Sequence, residues 1–504
     1  MVAVSEVDVP SGFNTLLETG HTTTQRMPSP SVLERRSVPM GFTPILLANV
    51  IPLVGVLLFG WDPQTLVVIY ALEALLSFPL AAAKALFAHQ PPRTDEDGSG
   101  VISVSNELAQ KRGCVQPISG LPPIYPRNIP FATAVVGAAV WFGIFVGVVL
   151  ATAFSVAETI RQPEVLVSVV GLFAGQAIES WRDYFRGGRY ETVSPYTVVE
   201  TPARQLFFLL FVLFVTPGIA VGGAVSVLVV FVLVKLLVEW SAFRATHGDG
   251  GRLSGWLAGP ETATAPSDPP LVPGDEPTAR ISTDDQAVLY TGVLHTLTTH
   301  APVYAMWFLM VWVTSLVVLG GEEPATTMTV GSLLVVVGLF VFLVVVRVGE
   351  FYLRYGPLEY RRYEDHVVAY DVWLDEPQWS SPIDVLCTAE IVRHRLPDRM
   401  LGTRTITVTT GWGDDETNRH LGPVADPDAL IEALELPIRT TALEPIDRRF
   451  AALTVALIGS VIVAIVLAIG PWAPFVGVLY VVFVLPFAVP VLKALWRRGY
   501  PDPR

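Results

Sequence analysis

The chain has 504 residues, 51% hydrophobic and only 16% charged, with a mean hydropathy of +0.51. A soluble chain carries roughly 25% charged residues, so the composition excludes an ordinary soluble globular protein. A formal net charge of −13 argues against nucleic acid as a partner.

Residues 1–41 are rich in Ser, Thr and Pro and are expected to form a disordered cytoplasmic tail. They lack the basic start and apolar run of a signal peptide. From residue 42 the apolar residues come in blocks of about 20, the length that crosses a bilayer. Ten spans are predicted: 42–60, 64–88, 130–154, 164–181, 204–219, 223–243, 301–319, 328–348, 450–469 and 474–495. The span at 164–181 is barely long enough and carries Gln176 and Glu179.

Two long segments between the first eight spans read as cytoplasmic linkers, 89–129 and 244–300. Pro, Gly and acidic residues dominate the first, and dominate 244–285 of the second. Neither has enough apolar residues for a core of its own. Residues 349–449 alternate instead of running apolar. "HVVAYDVWL", "IDVLCTAEIVRH" and "RTITVTT" predict strands by β-branched content and a period of two. "DPDALIEALEL" predicts a short helix, with Asp426 as cap, Pro427 in the first turn and Asp428 facing the N-terminal dipole. Residues 350–440 are therefore expected to fold apart from the membrane. Two further spans fill 450–495, and 496–504 form a cytoplasmic tail.

Charge sets the orientation. The short loops after the first, third, fifth, seventh and ninth spans contain one basic residue, Arg161, and the other 32 lie on the opposite side. Segments rich in Lys and Arg stay in the cytoplasm. Both termini and every long connection are thus expected inside, in a protein of the plasma membrane.

The expected fold class is an all-α polytopic membrane protein of about ten transmembrane helices with a small cytoplasmic α+β domain. Within 366–436 the order of a strand pair, "RMLGTRTITV" and "VADPDAL" resembles the bacterial and archaeal pleckstrin-homology-like domain attached to many membrane proteins. That resemblance implies a small barrel of strands closed by a helix. "LLANVIPLVGVLLFGWDPQTLVVIYALEALLSF" and "LVKLLVEW", within 42–245, resemble a haloarchaeal membrane family of unknown function. An acidic surface with only four lysines, Lys84, Lys111, Lys235 and Lys493, is similar to those of salt-loving proteins.

The candidate polar cluster at membrane depth is Asn49, Glu73, Gln176, Glu179, Lys235 and Glu239. Intramembrane carboxylates can relay protons or bind cations, but helix–helix contact and snorkelling explain such residues more often. Asn49 and Glu73 are expected to pair across a hairpin. Lys235 and Glu239, one turn apart, are expected to form an ion pair that docks their helix against the second or fourth span.

No catalytic, cofactor-binding or metal residue is readable. HExxH, GxSxG and the P-loop pattern are absent. Cys114 and Cys387 form neither a disulfide framework nor a zinc site, and His295 and His300, five apart, are expected on different helix faces. No cofactor is expected. The expected partners are the bilayer and, through 349–449, another protein or a second copy. Residues 355–448 carry 18 acidic and nine basic residues, so an anionic headgroup gains little there. The sequence thus points to a non-enzymatic membrane scaffold or assembly factor. The alternative is a small-solute, cation or proton transporter using Glu73 and the Lys235/Glu239 region.

Overall fold

The computed structural model describes residues 62–91, 107–153, 159–219, 270–319, 326–410, 417–469 and 487–500, apart from single positions within them, with scattered positions in 54–60 and 226–240. Helices lie over seven of the ten predicted segments: α1 (Pro63–Ala85), α2 (Ile129–Ala153), α3 (Pro163–Glu179), α4 (Pro195–Ile219), α6 (Ala301–Leu319), α7 (Thr326–Tyr355) and α10 (Arg448–Ile469). The spans predicted at 42–60, 223–243 and 474–495 lie largely outside the described residues. Among the described residues three helices are long and apolar enough to cross a membrane: Thr65–Ala85, Pro126–Gly147 and Val330–Tyr355.

Helix ends differ from the apolar blocks because hydropathy registers only the apolar part of a helix. α4 starts at Pro195, well before residue 204, and its polar first turns hold the Glu200–Arg204 ion pair at i,i+4 spacing. α7 continues past residue 348 to Tyr355. α3 passes into a π-helical turn, Ser180–Arg186.

The bundle packs around α1. Its Val67, Tyr70, Ala71, Ala74 and Phe78 share one core with Phe131, Val135 and Ala139 of α2 and Val199, Leu206 and Leu209 of α4. Alanines at 71, 74, 81, 82 and 85 let neighbouring backbones approach. The carbonyls at the end of α1 and just past it find a donor in buried Asn128, whose Nδ2 donates to Ala85 O at 2.9 Å and Ala88 O at 2.8 Å.

The α+β region has two antiparallel sheets. The first, in spatial order, is β1 (Ala279–Ser282), β2 (Leu358–Arg362), β3 (His366–Asp371) and β4 (Glu376–Pro382); the second is β5 (Leu386–Ile391), β6 (Arg404–Thr410) and β7 (Thr417–Val424). Helix α8 (Leu396–Leu401) links β5 to β6, and α9 (Pro427–Leu434) follows β7. The α9 start is as predicted: Asp426 accepts the Ala429 N–H at 3.0 Å, with Pro427 and Asp428 in the first turn. Leu430 and Leu434 of α9 bury into a core with Tyr360, Val367, Ile406, Val408 and Leu421.

β1 was not expected. It comes from the stretch read as linker and pairs with β2 from Ala279↔Arg362 to Ser282↔Glu359. Between β1 and β2 the chain runs through α5 (Asp285–Thr299), α6 and α7. α5 is capped by Asp284, which accepts the Ala287 N–H at 2.8 Å. α7 reaches β2 after a two-residue turn, so helix bundle and sheet are built on one continuous element.

Candidate functional site

Of the six candidate residues, Asn49, Lys235 and Glu239 lie outside the described residues. Gln176 Nε2 donates to Glu73 Oε1 at 3.3 Å, joining α3 to α1. Glu179 ends α3 on an exposed face. The structure therefore brings together Glu73 and Gln176, with Glu179 nearer the end of the same helix.

Sequence reasoning missed two stronger polar sites. The first is a staple between bundle and α+β domain. Residues 107–112 of the first linker pass between α7 and the first sheet. Leu108 is fully buried. Lys111 Nζ donates to the Leu353 carbonyl in the last turn of α7 and forms an ion pair at 2.5 Å with Asp371 Oδ2 at the end of β3. Asp371 is fully buried, and its Oδ1 accepts the N–H groups of Trp373 and Leu374, both at 2.9 Å. Burial pulls the Lys111 pKa below the ordinary lysine value, and the Asp371 charge partly restores it.

Around this pair the contacts are reciprocal. Arg354 Nε donates to Glu107 Oε2 at 2.7 Å and Tyr355 Oη donates to the same oxygen at 3.2 Å. The Arg112 N–H donates to Gln378 Oε1 at 2.8 Å, and Gln378 Nε2 returns a bond to Arg112 O at 3.1 Å. The C-terminal segment ties the same parts from another side. Lys493 Nζ donates to Thr299 Oγ1 of α5 at 2.7 Å, and Trp496 Nε1 donates to His394 O at 2.9 Å.

The second site joins α2, α6 and α7. Glu350, 5% exposed, accepts from Thr133 Oγ1 at 2.7 Å and from Arg347 Nη1 at 2.6 Å. Arg347 Nε donates to Tyr304 Oη at 2.9 Å. The Tyr304 ring stacks on His300, and His300 meets His295 edge to face at 5.7 Å. The two histidines were expected on different faces of one helix. α5 instead stops at Thr299 with His300 as its C-cap, and the break brings the rings together. Burial, then the Arg347 charge, lower the His300 pKa to about 4. Thr133, Tyr304 and Arg347 line one end of a cleft of about 210 Å³ whose other walls are apolar.

A polar seam of this kind fixes helices and a domain against each other. Among the described residues no three His, Cys, Asp or Glu side chains are placed to hold a metal ion.

A family model described as a family of unknown function (DUF6498) matches residues 32–252. The matched stretch takes in α1 to α4 and ends before β1, so it leaves out the α+β domain. No curated protein and no solved structure matches the chain.

Proposed function

We propose that this is an integral membrane protein of about ten spans, with both termini and the α+β domain in the cytoplasm, acting as a non-enzymatic scaffold or assembly factor. The observation that carries the reading is the buried Lys111–Asp371 pair, which ties linker, sheet and the end of α7 into one unit. A domain held this firmly presents its surface at a fixed height above the bilayer, as an assembly platform requires. Seven strands in two antiparallel sheets, with α9 packed into their core, support the pleckstrin-homology-like reading of the domain. Its net negative charge favours protein contact over anionic headgroups, and the acidic, lysine-poor chain supports adaptation to high salt.

A transporter is the second reading, favoured by the Glu73–Gln176 bond between two bundle helices. Flux in proteoliposomes separates the two. The scaffold reading expects no proton, Na⁺ or K⁺ flux above empty vesicles at any pH tested. Robust flux abolished by Glu73→Gln would replace it with the transporter.

A further inference from the structure

We propose that the cleft between α2, α6 and α7 binds an anionic membrane lipid, its head oxyanion at Arg347 and Tyr304 and one hydrocarbon chain along the groove beyond them. The donors are built for an oxyanion. Arg347 spends Nε on Tyr304 and Nη1 on Glu350, while its Nη2 makes no hydrogen bond among the described residues. Tyr304 accepts from Arg347, which leaves its own O–H free to donate. Glu350 balances the arginine from behind and does not line the cleft. The cleft therefore meets the cation and not the carboxylate, and charge-assisted bonds to a lipid phosphate are the strong kind.

The rest of the wall is apolar. Gly137, Ala138, Trp141, Phe308 and Leu343 are among the residues that line it. A Cβ placed on Gly137 meets nothing within 4 Å, so the groove is open there. Thr133 to Trp141 is eight helical steps along α2, about 12 Å at the helical rise, enough for a run of methylenes. A free inorganic anion would leave this length unfilled.

The source is the bilayer rather than the cytosol. Leu334, Val341, Phe342 and Val345 of α7 are exposed apolar side chains, which on the membrane reading face lipid tails. Arg347 stands at the end of the apolar run, where headgroups lie. The inference rests on that membrane reading and is independent of whether the protein is a scaffold.

The test is native mass spectrometry of the purified full chain in detergent, with dioleoyl phosphatidic acid, neutral dioleoylglycerol and oleate as probes. Wild type should retain one phosphatidic acid, with dioleoylglycerol weaker by at least about tenfold, the loss of one charge-assisted contact. Gly137→Phe should abolish the adduct by filling the groove, with wild-type melting; Tyr304→Phe, which also leaves Arg347 Nε without its acceptor and so should melt lower, should weaken it several-fold. Equal retention in all three proteins, or equal binding of phosphatidic acid and dioleoylglycerol, would overturn the site. Oleate displacing phosphatidic acid and binding more tightly would overturn the bilayer source.

Discussion

Lys111, in a linker with no predicted structure, lies 2.5 Å from the buried carboxylate of Asp371 at the end of β3. Both are nearly free of solvent. Breaking one side of a buried pair costs roughly 3–5 kcal/mol in soluble proteins, and removing both sides costs far less. Lys111→Met and Asp371→Asn should each lower the melting temperature in detergent sharply. Asn at 371 keeps an acceptor for the Trp373 and Leu374 N–H groups, so the double variant should recover much of the loss. Additive losses in this cycle would mean that the two residues do not interact.

The first sheet needs a strand from outside the region that alternates. A fragment of 350–440 alone leaves the β2 edge unpaired, where β1 makes a four-residue ladder. Residues 276–284 fused ahead of the fragment should raise its melting temperature and reduce association through the open edge. Circular dichroism and sedimentation check this; equal stability and mass for the two fragments would mean that β1 adds nothing.

Tyr360 is buried at the meeting of the two sheets. Its hydroxyl oxygen accepts the Gly422 N–H at 2.9 Å, and burial raises the phenol pKa to about 12. Tyr360→Phe leaves that buried N–H without its acceptor and should cost about 1–3 kcal/mol. Chemical denaturation of the fused fragment reads the loss, and an unchanged midpoint would show that water reaches the Gly422 amide.

His300 predicts a pH dependence. Its folded pKa of about 4 lies below the ordinary 6.5, so between these values the unfolded chain binds the extra proton. This contribution to stability is complete above pH 6.5, falls as the pH drops toward 4, and levels off below. His295, Arg347 and Lys493 are the charged or titratable groups that act on it. Melting temperatures from pH 7 to 4 should fall less steeply for His300→Gln than for wild type. Parallel curves would show that His300 titrates normally in the folded state.

The legible parts of this chain were those with a period. Apolar runs marked seven helices, alternation marked β3, β5 and β6, and Asp426-Pro427-Asp428 marked the start of α9. β1 was not legible, because "ARIS" offers one large apolar residue, after a proline-rich stretch and before an acidic helix start. The staple was not legible either. A single buried Leu108 and a single Lys111 make no pattern, and their partners lie far along the chain. Arg347 and Glu350 sit where the apolar part of α7 ends, and one Arg and one Glu there make no pattern. His295 and His300 were misplaced by assuming one unbroken helix. Of the predicted polar cluster, Glu73 and Gln176 do meet, while Asn49, Lys235 and Glu239 lie outside the described residues.

Topology can be read from a native residue. Cys114 is exposed and sits in the first linker, which the proposed topology puts in the cytoplasm. An impermeant thiol reagent should leave it unlabelled on intact cells and label it after lysis, whereas Gly321→Cys should label from outside. Labelling of Cys114 on intact cells would invert the orientation.

Lys111 is proposed to hold the α+β domain fixed on the helix bundle. The direct measurement is a spin–spin distance distribution between Val167→Cys on α3 and Met400→Cys on α8, both exposed, in a chain with Cys114 and Cys387 replaced by Ser. One narrow distribution is expected for the protein with Lys111 and a broad one with Lys111→Met. A broad distribution with Lys111 present, or no change on its removal, would contradict it.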